Sequence, residues 1–187
     1  MEPLTRAQVL VAMGITAVVL LVIAKVWLYF EPGRQIPVTL GWRDAGLGVA
    51  LGAGFALASA VVYERWSPYR RSADEYLALV LKPLHWPDLL WLALLPGLSE
   101  ELLFRGVMLP AIGLNGLGIV VSGASFGVLH LSTVQQWPYV LWATLIGVVL
   151  ALSAVATGNL LVPIVAHVVT NLASSIVWKL RQREPAE

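Results

Sequence analysis

Leu98-Ser99-Glu100-Glu101-Leu102-Leu103-Phe104-Arg105-Gly106 sets three charges inside an apolar stretch that runs from about residue 88 to 110. A charged side chain in the middle of a membrane helix costs about 2.5–3.5 kcal/mol on insertion scales. Three unpaired ones therefore cost about 8–10 kcal/mol, comparable to the whole stability of a domain. Part of that cost is offset within the helix. Glu101 and Arg105 are four residues apart with the acid on the N-terminal side, the better orientation for a pair on one face. Glu100 lies about 100° around the helix from Glu101 and has no such partner. A carboxylate in apolar surroundings without a paired cation suits general base or acid chemistry.

The rest of the chain has the same apolar character. Of 187 residues, 58% are hydrophobic and only 12% charged, and the mean hydropathy is +0.79. A soluble domain carries about 25% charged residues, so this chain has too little polar surface to cover a body in water. We expect an all-α, polytopic transmembrane bundle, because only helices satisfy their own backbone groups in lipid. Apolar segments near residues 8–30, 43–63, 88–110, 116–131, 138–157 and 159–179 give about six spans. The first is read as a retained span, since it ends in the bulky run Val26-Trp27-Leu28-Tyr29-Phe30 where signal cleavage needs small residues. The net charge of +1 and the lack of any basic-aromatic patch give no sign of a nucleic-acid partner. With no cysteine, thiol catalysis and thiolate metal sites are excluded.

Basic residues set the expected orientation. Arg6, the loop with Arg65, Arg70, Arg71 and Lys82, and the tail with Lys179, Arg181 and Arg183 fall on one side of six spans. The positive-inside rule makes that side, with both termini, cytoplasmic. Trp27, Trp66, Trp86, Trp137 and Trp178 cluster near span ends, as an interfacial belt does, and all of them, with Tyr29, Tyr63 and Tyr139, read as anchoring and packing. His85, between Leu84 and Trp86 at a loop end, reads as another anchor. Ser67 to Trp86 is too polar to span; Tyr76, Leu77, Leu79, Val80 and Leu84 suggest a short surface helix. The small residues from Gly46 through Gly54 suggest close helix packing. No repeat or linker divides the chain, so residues 1–187 are expected to form one domain with a core at about 88–179.

Two further spans carry polar groups at helical spacing. Phe126 and His130 are one turn apart on the fourth, and His167 and Asn171 one turn apart on the sixth. A lone histidine in an apolar helix usually packs; two on separate spans beside a double glutamate point to a site. On straight helices Glu100 and His130 sit at depths that differ by several ångströms, and a break at Pro96-Gly97 is one way to reconcile them.

These residues resemble the motifs of the CAAX-protease and bacteriocin-processing (CPBP, or Abi) family. Glu100-Glu101-Leu102-Leu103-Phe104-Arg105-Gly106 is similar to its EExxxR motif, Phe126-Gly127-Val128-Leu129-His130 to FxxxH, and His167-Val168-Val169-Thr170-Asn171 to HxxxN. The approach Thr157-Gly158-Asn159-Leu160-Leu161-Val162-Pro163 is also similar. Three such motifs in order on three spans are specific together, and the resemblance covers roughly residues 97–171. It implies an intramembrane endopeptidase of membrane-associated or lipidated proteins, working from a membrane such as the plasma membrane on peptide substrates among lipids. It assigns Glu100 as the catalytic carboxylate, His130 as the group that helps hold water, and His167 and Asn171 as oxyanion donors. Glu101, Arg105 and Phe126 have a supporting part. It implies no cofactor. A zinc-dependent version of the same peptidase, with Glu100, His130 and His167 as ligands, stays open beside it. So do two other classes, an inactive scaffold or immunity protein and a proton-conducting transporter. The substrate and the oligomeric state are not written in these motifs.

Overall fold

The computed structural model describes residues 4–182 and is all-helical; Arg183, counted above among the basic tail residues, lies outside the described residues. The chain forms α1 (Arg6–Phe30), α2 (Trp42–Arg65), α3 (Ser67–Leu81), α4 (Asp88–Glu101), a π-helical segment (Leu102–Met108), α5 (Leu109–Ile112), α6 (Gly116–Leu129), a 3-10 turn (Val134–Gln136), α7 (Trp137–Thr157) and α8 (Leu161–Arg181). Among the described residues, α1, α2, the 3-10 turn with α7, and α8 are long and apolar enough to cross a membrane. The protein is an integral membrane protein. Its outward faces are lined by residues such as Val11, Ile15, Leu57, Leu117 and Leu145, the pattern of a body solvated by lipid.

α2 and α8 run parallel and pack closest at two glycines. A Cβ at Gly48 would stand 2.6 Å from Val165 Cβ, and one at Gly52 would stand 2.6 Å from the Ala166 carbonyl. Neighbouring Gly46 and Gly54 have open space. The close packing expected from Gly46 through Gly54 is therefore carried by the glycines on one face of α2.

Helical backbone continues from α4 through the π-helical segment into α5. The break expected at Pro96-Gly97 does not occur. Pro96 sits inside α4, and Gly97 lets α8 approach, with Val168 Cγ2 2.6 Å from where a Cβ would be. The distortion comes later, directly after the two glutamates. A π-helical segment leaves backbone groups seeking partners and recurs at functional sites. Here the Gly106 carbonyl accepts from Ile36 N–H at 3.1 Å and the Phe104 carbonyl accepts from Ser122 Oγ at 2.9 Å.

Polar contacts tie each end of the bundle. At one end Arg6 makes a two-pronged pair with Asp88, both contacts 2.7 Å, Lys179 Nζ donates to the Leu84 carbonyl, and Arg181 lies 3.5 Å from Glu64. Arg6, Lys179 and Arg181, three of the basic residues read as sharing one side, thus lie at one end. At the other end α7 closes on Gly158, whose φ of 62° suits a residue without a Cβ. Asn159 then donates to the Thr39 carbonyl at 2.8 Å and to Asp44 Oδ2 at 2.6 Å.

Trp178, near the end of α8, is 8% exposed and packs with Leu81 and Leu89, on the packing side of its expected role. α3 exists where a surface helix was expected, but one face is covered, with Tyr69, Ala73 and Leu81 buried. Its rings join α7, since Tyr76 stacks on Tyr139 at 4.6 Å and Tyr69 stacks on Tyr139 at 6.2 Å.

Candidate active site

The three polar spans converge on a cavity of about 230 Å³. Glu100 from α4, Phe126 and His130 from α6, and His167 and Asn171 from α8 all line it. α6 has 14 residues and ends at Leu129, which makes His130 its C-cap.

The two glutamates have different surroundings. Glu101 is fully buried. Its Oε1 accepts from Arg105 Nη1 at 2.7 Å and from His167 Nδ1 at 2.8 Å. Arg105, also fully buried, donates from Nη2 to the Gly147 carbonyl at 2.8 Å and lies 4.4 Å over the Phe126 ring. One carboxylate therefore links the helix that carries it, through Arg105, to α7 and, through His167, to α8. Glu100 is 6% exposed and its Oε2 has no hydrogen-bonding partner among the described residues. A buried polar atom left unpaired costs about 1–3 kcal/mol, and more if charged, so such atoms concentrate where a ligand or water is to be bound.

Both histidine rings have one nitrogen committed. His130 Nδ1 lies 2.9 Å from the Phe126 carbonyl. A carbonyl can only accept, so Nδ1 carries the proton and Nε2 is left as an acceptor. His167 Nδ1–H donates to Glu101 in the same way, leaving its Nε2 to the cavity. Phe126 holds the two rings apart, its centroid 4.9 Å from His130 and 5.4 Å from His167. Among the described residues no three His, Asp or Glu side chains come together as a metal-ligand set.

The cavity extends beyond these motifs. α3 contributes Tyr69, Ala73, Tyr76, Leu77 and Val80, and α2 contributes Ala56, Ser59, Ala60 and Tyr63. The His130 ring is 5.9 Å from Tyr76. Sequence reading assigned no site role to these two helices. The amphipathic pattern of α3 was the available signal, since its apolar face needed a partner.

An all-helical membrane protein whose acid, imidazole and amide groups meet in one interior cavity is the class that fold and site define. A family described as "Type II CAAX prenyl endopeptidase Rce1-like" matches residues 82–173, the span that holds every motif residue. "Uncharacterized protein YpbD" of Bacillus subtilis (strain 168) is 30% identical over 143 residues, covering 74% of this chain and 72% of that relative. No solved structure matches the chain significantly. The chain belongs to the CAAX-protease and bacteriocin-processing family, a family of CAAX-type intramembrane proteases.

Proposed function

We propose that the protein hydrolyses peptide bonds of membrane-associated or lipidated proteins with water activated by Glu100, without a metal. The observation that carries this reading is the contrast between the two adjacent acids. Glu101 Oε1 is occupied by Arg105 and His167, with its Oε2 left unpaired, whereas Glu100, which lines the cavity with a buried unpaired Oε2, has no cation or imidazole hydrogen-bonded to it among the described residues.

In this reading His130 Nε2 accepts one hydrogen of a water and Glu100 takes the other as the oxygen attacks the peptide carbonyl. The oxygen–carbon bond forms and the carbonyl oxygen gains the charge. The Asn171 amide donates to it. His167 can also donate from Nε2, but only as a doubly protonated ring, because Nδ1–H is already given to Glu101. Glu101 is placed to balance that charge, with Arg105 holding it in position. Glu100 then returns its proton to the nitrogen as the carbon–nitrogen bond breaks. Donors of this kind are worth about 3–4 kcal/mol each in other acyl-transfer enzymes.

The same reading takes residues 1–187 as one domain of six spans, with α4 through α5 and the short α6 as the two beyond those long enough by themselves. It places the end that carries Arg6, Lys179 and Arg181 in the cytoplasm by the positive-inside rule, with the plasma membrane as the setting.

Purified protein in detergent, with no ion gradient, tests it against membrane-embedded and lipidated peptides. New termini found by mass spectrometry, and their absence with a folded Glu100→Gln variant, support the reading. Equal cleavage by that variant contradicts it.

A further inference from the structure

One face of α8 runs the length of the cavity. His167, Asn171, Ser174, Val177 and Arg181 recur at three- and four-residue steps, and all five line it. The opposite wall comes from Ala56, Ser59, Ala60 and Tyr63 of α2. These two helices touch at Gly48 and Gly52 and leave room between them further along, so the cavity forms a groove leading from Glu100 toward Tyr63 and Arg181.

That far end carries two cations on one ring, Arg181 the nearer and Arg70 at 6.0 Å from the Tyr63 centre. The Arg181 guanidinium lies 4.8 Å from the centre of the Tyr63 ring, and Asp74 fixes the Tyr63 hydroxyl with contacts of 2.9 and 3.0 Å. The carboxylate nearest to Arg181 is Glu64, at 3.5 Å, between side chains 43% and 61% exposed. A contact that long and that wet is weak, so a carboxylate from outside can replace it. A guanidinium on an aromatic face is oriented in advance for a carboxylate.

We propose that Arg181 is a specificity-determining residue that binds a carboxylate of the substrate about six residues from the cleaved bond. His167 and Arg181 are fourteen residues apart on α8, about 21 Å at the helical rise. An extended peptide covers that distance in about six residues. Ser59 and Ser174 offer polar contacts on the way, among apolar side chains. The proposal rests on the peptidase reading and adds to it a charge requirement at a fixed distance.

The test uses the full chain in nonionic detergent and a set of membrane peptides with one cleavable bond. A single Glu is placed three, six or nine residues from that bond, on either side, with Gln and Lys peptides at the same positions for comparison. Wild type is expected to favour Glu at about six residues by roughly tenfold in KM, with kcat unchanged. Arg181→Gln should lose that preference and keep kcat. Arg181→Glu should prefer the matching Lys peptide, a reversal that a merely structural role would not give. Glu64→Gln, by removing the competing carboxylate, should lower KM for the Glu peptide further.

If wild type cleaves every peptide alike, or Arg181→Gln keeps the positional preference, the Arg181 assignment is overturned and the peptidase reading stands. If wild type cleaves none of them, the peptidase reading fails and takes this proposal with it. If Arg181 matters only when phosphatidylglycerol is added, whatever acid the peptide carries, Arg181 binds a lipid headgroup and the proposal is wrong.

Discussion

His167 Nδ1 lies 2.8 Å from Glu101 Oε1, and the same oxygen receives Arg105 Nη1 at 2.7 Å. The second acid of the pair therefore works through its neighbours. It sets which nitrogen of His167 faces the cavity and holds Arg105 against the Gly147 carbonyl. Removing Arg105 leaves a buried carboxylate without its cation, which costs about 3–5 kcal/mol. Arg105→Met should lower thermal stability in detergent by that amount and abolish activity with it. Unchanged melting would show that the pair does not hold α4 to α7.

Glu100 makes no comparable contact, so Glu100→Gln should melt within a degree or two of wild type. Peptide cleavage should nevertheless fall about 10²–10⁴-fold, the usual contribution of a general base. Paired melting and cleavage measurements on one preparation separate this outcome from simple unfolding.

Asn171 lines the cavity beside His167. Asn171→Ala should reduce kcat about 10²–10³-fold, as loss of one oxyanion donor does, and leave KM nearly unchanged. A change in KM alone would assign the amide to substrate binding instead.

Gly52 and Gly54 provide a matched pair. A methyl group at Gly52 meets the Ala166 carbonyl, while one at Gly54 meets nothing within 4 Å. Gly52→Ala should destabilise by about 1–3 kcal/mol. Gly54→Ala should be neutral or slightly stabilising, since alanine is the better helix former. Melting curves of the two variants in the same detergent check the contrast.

Much of the cavity was legible in the sequence because its chemistry is written at helical spacing. Glu100, His130, His167 and Asn171 lie on three apolar segments, and a polar group in lipid needs a polar neighbour. The pairing of Glu101 with Arg105 followed from their four-residue separation. What could not be read depends on tertiary arrangement. Nothing local tells that Glu101 Oε1 also takes His167, 66 residues away. The distortion after Glu101 carries no proline or glycine at its start, whereas Pro96 and Gly97, which looked like a break, sit in continuous helix. α3 was legible as amphipathic, but the partner of its apolar face was not. Tyr139, read as anchoring and packing, stacks on Tyr76 of α3 and lines the cavity with it.

The central claim is that Glu100, and not a metal, activates the water. The most direct measurement is the rate of peptide cleavage by wild type, Glu100→Ala and Glu101→Ala, each with and without a strong zinc chelator, with folding monitored in the same samples. Wild type should cleave at a rate that chelator leaves unchanged, and folded Glu100→Ala should not cleave. Glu101→Ala should lose activity together with stability. Wild-type cleavage that chelator abolishes and added zinc restores, or cleavage that survives in Glu100→Ala, would contradict the claim.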